Sequence, residues 1–315
     1  MKVYNNIADF QQINNAVVTS GTFDGVHLGH QKILMRLRET AQADDGETVV
    51  LTFWPHPRMV VSKDSQNLKL LSTLNEKIAS LKQNGVQHLV VIPFTREFSE
   101  LSSEEFIQQV LVDKIGTKKL VIGYDHHFGR NREGSFEYLQ HNASRYGFEI
   151  EEIPRQEIDH LTVSSTKIRQ ALLEGQTHIA NELLGRNYTF TGLVVKGRQL
   201  GRTIGYPTAN VQVPESYKLI PADGVYAVRV QLRDQSYGGV MSIGLRPTVN
   251  GDGRTQEIYI FDFDKDIYGE KVTVEIVEYI RPELKFDGLP ALVKAIEDDC
   301  VAALKMLSNF NADSV

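Results

Sequence analysis

Residues Gly21-Thr22-Phe23-Asp24-Gly25-Val26-His27-Leu28-Gly29-His30 carry the densest chemistry in the chain. An apolar run, Ala16-Val17-Val18, precedes them, and a helical pattern of Ile33, Leu34 and Leu37 follows. A strand that ends in a glycine turn and restarts as a helix presents backbone N–H groups and the positive end of a helix dipole, which together suit phosphate. Gly21 and Phe23 open this turn, and Gly29 lets phosphate approach the backbone without a Cβ in the way. His27 and His30 can donate to phosphate oxygens and stabilise charge that develops during transfer. The expected ligand is a nucleoside triphosphate. The same spacing also suits a solvated surface turn or a pair of metal ligands, although no Cys or carboxylate cluster lies nearby to complete a metal shell.

Three further segments bear on chemistry. Val163-Ser164-Ser165-Thr166-Lys167-Ile168-Arg169 opens a helix with hydroxyl caps and two cations. It reads either as an ordinary capped helix or as donors placed around a leaving pyrophosphate. The loop Gly197-Arg198-Gln199-Leu200-Gly201-Arg202-Thr203-Ile204-Gly205-Tyr206-Pro207-Thr208-Ala209-Asn210 is flexible and positive. It could cover phosphates or simply be polar surface. No Gly-x-x-x-x-Gly-Lys-Ser/Thr occurs, which excludes a P-loop kinase. Glu257 begins the strand pattern Glu-Ile-Tyr-Ile-Phe and reads as a solvated strand-end charge or as a base. Asp262, Asp264 and Asp266 suggest a calcium loop, but strand alternation and the missing EF-hand pattern argue against it.

Bulk properties set the frame that must hold these residues. The 315 residues suffice for two domains, and 41% hydrophobic content supports sizeable cores. A net charge of −6 disfavours nucleic acid as a partner. The lone Cys300 rules out a disulfide framework, fits a reducing cytoplasm, and reads as a structural thiol within an amphipathic helix. No signal-peptide pattern and no apolar run of membrane-spanning length is visible, so no membrane association is expected.

In the first half, apolar runs at Thr48–Phe53, His88–Ile92, Lys119–Ile122 and Phe148–Ile153 alternate with helical patterns at Leu74–Gln83, Ser103–Val112 and Arg132–Tyr146. Such alternation predicts a doubly wound parallel α/β sheet, with ligands at the carboxyl ends of its strands. Beyond Leu184-Gly185-Arg186 come short runs with turns between them: Tyr188–Val195, Gly224–Leu232, Gly238–Ile243, Gln256–Phe261 and Val272–Ile280. They predict an antiparallel barrel or sandwich, closed by an amphipathic helix over Leu289–Leu307. The expected domains are 1–184 and 185–315.

Several of these strings resemble known families. Gly-x-Phe-Asp-Gly-x-His-x-Gly-His and Ser-Ser-Thr-x-Ile-Arg resemble the signatures of bacterial FMN adenylyltransferases within the Rossmann-like nucleotidyltransferase superfamily. So does Thr52-Phe53-Trp54-Pro55-His56-Pro57, which otherwise reads as a strand end broken by prolines. Gly123-Tyr124-Asp125-His126-His127-Phe128-Gly129-Arg130-Asn131-Arg132-Glu133-Gly134 is similar to their Gly-x-Asp-Phe-x-Phe-Gly-x-x-Arg-x-Gly, with His126 where Phe is usual. Gly-x-Pro-Thr-Ala-Asn after a glycine–arginine loop resembles riboflavin kinases. Ser242–Val249, Glu257–Phe263, Asp266–Gly269 and Arg281–Phe286 follow the same family, with Tyr259 where His is usual.

The order of the motifs resembles bifunctional riboflavin kinase/FMN adenylyltransferases, also called FAD synthetases, with a β-barrel kinase domain. The resemblance implies that His27, His30, Ser165, Thr166 and Arg169 hold the triphosphate of ATP and that Asp125 and Phe128 line the flavin or nucleotide pocket. It implies that Gly201 and Gly205 shape a phosphate loop, that Thr208 and Asn210 hold Mg²⁺ and phosphates, and that Arg246 contacts flavin. Glu257 would be the base. Riboflavin, FMN, FAD and ATP are the implied partners, in a monomer or weak homo-oligomer. A kinase with an inactive first domain and a non-enzymatic flavin sensor are the rival expectations.

Overall fold

The computed structural model describes all residues except 63–66, 124–125, 154–162, 198, 249–250 and 313–315, and gives backbone alone at 246–248, 251–252 and 309–312. The chain divides into two compact units, Met1–Ser165 and Thr166–Val315.

The first unit is built on six parallel strands among the described residues: β1 (Lys2–Tyr4), β2 (Ala16–Ser20), β3 (Glu47–Trp54), β4 (His88–Pro93), β5 (Thr117–Gly123) and β6 (Glu149–Ile153). They lie in the order β1-β4-β3-β2-β5-β6. Because side chains alternate across a strand, Val17, Val50, Leu89 and Val121 go to one face and Val18, Leu51, Val90 and Leu120 to the other. On the first face Leu34 and Leu37 of helix α1 (Leu28–Ala43) and Leu81 of helix α2 (Leu74–Gln83) close the core. On the second, Ile107 and Leu111 from the helix over 103–115 and Leu139 of helix α3 (Phe136–Tyr146) do so. Burial on both faces is why these strands read as continuous apolar runs. The chain fills the sheet outward from β2 to β4 and then crosses to β5. The strand order therefore reverses between β2 and β5, where doubly wound sheets bind ligands.

Capping residues set the helix boundaries. Thr73 and Glu76 form a reciprocal capping box that starts α2 where its periodicity predicts. The helix expected from Ser103 is capped one residue earlier, because Ser102 is the serine with a glutamate, Glu105, three residues on. It widens into a π-type helix over Phe106–Ile115. The helix expected from Arg132 begins only at Phe136, capped by Ser135. Ahead of it Asn131 and Arg132 adopt φ of 53° and 60°, and Phe128 and Gly134 exchange backbone hydrogen bonds of 3.1 and 2.9 Å.

In the second unit helix α4 (Ser165–Leu173) and helix α5 (Thr177–Leu184) precede a closed antiparallel barrel. Its strands are β7 (Tyr188–Val195), β8 (Ala209–Gln212), β9 (Gly224–Leu232), β10 (Gln235–Thr248), β11 (Gly251–Ile260) and β12 (Lys271–Arg281), in the order β10-β11-β8-β7-β12-β9. Both helices are tied to the barrel unit. The Ala222 N–H donates to the Leu172 carbonyl at 2.9 Å, and the Tyr279 N–H to Thr177 Oγ1 at 3.0 Å. Helix α6 (Leu289–Ala312) packs Ala303 and Leu307 on Val225, Ala227 and Val240. Arg281 of β12 grips Asp299 of α6 through two bonds of 2.8 and 2.6 Å. Cys300 on α6 is half-buried, and burial, with Asp299 and Glu297, pushes its thiol up to about 11, which keeps it protonated.

Candidate active sites

The Gly21–His30 turn sits at the carboxyl end of β2. Gly25, Phe23 and Val26 take φ of 83°, 47° and 42°, which folds the turn back on itself. Asp24 is buried and staples it to the segment before α2. Its carboxylate accepts the Leu71 and Ser72 N–H groups, both at 3.1 Å, and the Ser72 hydroxyl at 3.4 Å. Ser72 Oγ in turn accepts the Gly25 N–H at 3.0 Å.

His27 caps α1 by accepting the His30 N–H on Nδ1 at 3.4 Å, and the two imidazoles stack with centroids 3.7 Å apart. The Phe23 ring lies 5.1 Å from His30. Burial, then the charges of His27 and Lys77, holds His30 well below the usual histidine range, so its ring is neutral at pH 7. Its Nδ1 is buried without a hydrogen-bond partner among the described residues. A Cβ at Gly29 would press within 3.1 Å of Val163 and 3.3 Å of the His27 ring, so this glycine makes room for the histidine stack as well as for any ligand. Ser165 joins the second motif to this turn: its hydroxyl donates to the Asp24 carbonyl at 3.0 Å. Thr166 and Arg169 follow on the first turns of α4.

At the strand-order switch, His126 Nε2 and Ser20 Oγ are 3.3 Å apart, which links the ends of β5 and β2. The His126 ring stacks on Phe128 at 5.8 Å, and Phe128 rests on Phe106 at 5.5 Å. Burial pushes His126 down to about 4. Asp125 lies outside the described residues. In the Trp54–Pro57 string, His56 is a buried helix cap that accepts the Arg58 N–H at 3.2 Å.

Lys77 on α2 belongs to none of the sequence motifs. It is 1% exposed, its Nζ donates to Thr52 Oγ1 at 3.4 Å and lies 5.8 Å over the Trp54 ring. Burial pushes its ammonium down to about 8 against the opposing pull of Asp24. A signal existed in the sequence: Lys77 stands three residues after Leu74 and four before Leu81, on the apolar stripe of α2.

In the barrel unit, β11 pairs with β8 so that Glu257 lies opposite Asn210, and with β10 so that it lies opposite Ser242. Thr208 Oγ1 donates to Glu257 Oε2 at 3.3 Å. The β8–β11 pairing thus brings Glu257 to Asn210, 47 positions earlier in the chain, and its side chain reaches Thr208, 49 positions earlier. Gly197 is required here, because a Cβ would overlap the Asn210 amide. Gly201 lies in the short helix Leu200–Thr203, its carbonyl accepting the Tyr206 N–H at 2.8 Å, and Gly205 follows with φ of 86°. A cavity of about 480 Å³ opens beside Thr208, lined also by Arg202, Ile258, Asp264 and Tyr268, a size suited to a nucleotide. Tyr259 packs edge-on against Tyr206 at 5.2 Å. Arg246 lies on β10 opposite Gly253.

The comparisons with known proteins divide at the same place as the chemistry. A family model described as FAD synthetase matches residues 9–167, and one described as riboflavin kinase matches residues 184–307. Bifunctional riboflavin kinase/FMN adenylyltransferase of Listeria monocytogenes is 40% identical over 286 residues, covering 90% of each chain. The protein of the same name in Escherichia coli K12 is 37% identical, covering 96% of this chain and 97% of its own. The chain belongs to this family. A solved structure from Streptococcus pneumoniae, titled a macrolide-efflux protein, superposes on this bifunctional family member with a TM-score of 0.87. It is 34% identical and covers 96% of this chain and 98% of its own. Among the described residues here, no helix is long and apolar enough to cross a membrane.

Proposed function

We infer that this chain makes FAD in two steps at two sites, adenylyl transfer in residues 1–184 and phosphoryl transfer in residues 185–315. The observation that carries the kinase step is the meeting of Glu257, Thr208 and Asn210 across β8 and β11. Glu257 takes the proton of the riboflavin 5′-hydroxyl as its oxygen bonds to the γ-phosphorus of ATP, and ADP leaves. Thr208 and Asn210 present neutral oxygens, which suit a hard cation already bound by phosphate, and these residues would hold Mg²⁺. When bound there, the cation would neutralise phosphate charge. Arg202 and the glycine loop border the cavity beside them and would cover the phosphates. Arg246 would contact the flavin.

In the other site a phosphate oxygen of FMN bonds to the α-phosphorus of a second ATP. The α–β bridging bond breaks and pyrophosphate leaves. The nucleophile is already anionic, so the protein contributes position and charge rather than a base. The α1 N-terminus, His27, His30, Ser165, Thr166 and Arg169 serve the triphosphate. Asp125, Phe128 and, in this chain, His126 border the flavin. We take the chain to work in the cytoplasm as a monomer or weak homo-oligomer without nucleic-acid or membrane partners, which its net charge of −6 and single cysteine favour.

Incubation of pure protein with riboflavin, ATP and Mg²⁺, followed by chromatography of the flavins, tests the assignment. FMN followed by FAD is expected. FMN alone would reduce the chain to a kinase, and flavin binding without product would make it a sensor.

A further inference from the structure

Neither step above uses Lys77. An ammonium taken out of water costs several kcal/mol unless a partner compensates it. Here the compensation is thin. The Thr52 hydroxyl lies at 3.4 Å, the long end of hydrogen bonding, and the Trp54 face at 5.8 Å. Asp24 is the carboxylate whose charge favours the ammonium, yet both its oxygens already accept from Leu71 and Ser72. Among the described residues, His30 also lies in the field of Lys77, and it carries no charge at pH 7. Asp24 and His30 both belong to the phosphate turn, so α2 sets an under-compensated positive charge against that turn. A chain that needed only packing at this point on the apolar stripe of α2 would place a leucine or methionine there.

We propose that Lys77 is a positioning residue of the adenylyl-transfer site, a buried cation whose missing counter-charge is the triphosphate of ATP. It draws that group onto the Gly21–His30 turn and holds it as pyrophosphate separates. This rests on the adenylyl-transfer reading. Lys77 acts through the field it imposes on the turn, where His27, His30 and the backbone N–H groups meet the phosphate oxygens.

The two reactions of one chain supply the control. Lys77→Met keeps the length of the side chain and removes the charge. We expect it to keep the wild-type rate of riboflavin phosphorylation and the wild-type melting temperature or better. Its kcat/KM for ATP in FMN-to-FAD conversion should fall about tenfold, less than the loss from removing a direct donor. Lys77→Arg should recover part of it. A lysine with a merely structural role would instead cost stability and spare the ATP term.

The wild-type pH profile is a second test that needs no variant. For FMN-to-FAD conversion, kcat/KM for ATP should fall above about pH 8 as the free enzyme loses the ammonium proton. The same limb in kcat should lie at higher pH, because bound triphosphate stabilises the cation. The limb should be missing from riboflavin phosphorylation. A Lys77→Met protein with wild-type kcat/KM, or a wild-type profile without the alkaline limb, would overturn the proposal. Failure of the wild-type chain to convert FMN at all would overturn the adenylyl-transfer reading instead.

Discussion

The two sites handle charge in opposite ways. In the first unit, His30 on the turn after β2, His126 after β5 and Lys77 on α2 are withdrawn from water, and burial is the first cause of each shift. At the barrel, Glu257 is half-buried on a strand, bonded to Thr208 and close to a cavity of about 480 Å³. The contrast follows from the nucleophiles. A phosphate that is already anionic asks for a rigid field, and low dielectric strengthens every charge and dipole in it. A hydroxyl asks for a carboxylate that can accept a proton and release it to solvent.

The sharpest way to break this comparison is to remove the base. Glu257→Gln should lower riboflavin phosphorylation about 10²–10⁴-fold, as loss of a positioned base does, and leave FMN-to-FAD conversion at its wild-type rate. Chromatographic assay of the two steps, each started from its own flavin, reads both. Loss of both activities in a folded protein would show that the sites are not separate. Next in size, His30→Ala should slow FMN adenylylation about 10²–10³-fold and spare the kinase. If His30→Ala left the FAD rate intact, the neutral stacked ring would be a packing element and the field would lie elsewhere in the turn.

Elements were legible in the sequence where local chemistry and period agreed. Leu74–Gln83 is one case, because the Thr73–Glu76 box and the apolar stripe point to the same boundary. β1 and β8, with three and four residues, are too short to display a period, and neither is visible in the sequence. β10 runs through Gly238, Gly239 and Gly244, which interrupt its alternation and hide its true length of 14 residues. The phosphate turn is legible because its residues are contiguous. The approach of Glu257 to Thr208 and Asn210 is not a local property, since it depends on the β8–β11 register, and only resemblance to a family suggests it. Lys77 was hidden for another reason: a lysine on a helix is ordinarily solvated, and only its place on the apolar stripe marks it as buried.

The smallest predicted effect sharpens the comparison through stability. His126 is held at about 4 in the folded protein against 6.5 when unfolded. A histidine with a depressed folded value stays neutral while the unfolded chain takes up its proton. Between pH 6.5 and about 4 the unfolded state therefore binds the extra proton, and stability falls as pH falls through that window. At pH 5 the difference of 1.5 pH units amounts to about 2 kcal/mol. His126→Phe, which restores the residue usual in the family, removes this term. The stack on Phe128 can survive the change, while the link to Ser20 cannot. Urea midpoints of FMN-to-FAD inactivation at pH 5 and pH 7.5 should draw closer together in His126→Phe than in wild type. The midpoints of riboflavin phosphorylation should show no such change between the two proteins. An unchanged gap at the turn site would mean that His126 meets water freely. The contrast between a buried and a solvated charge system would then rest on His30 and Lys77 alone.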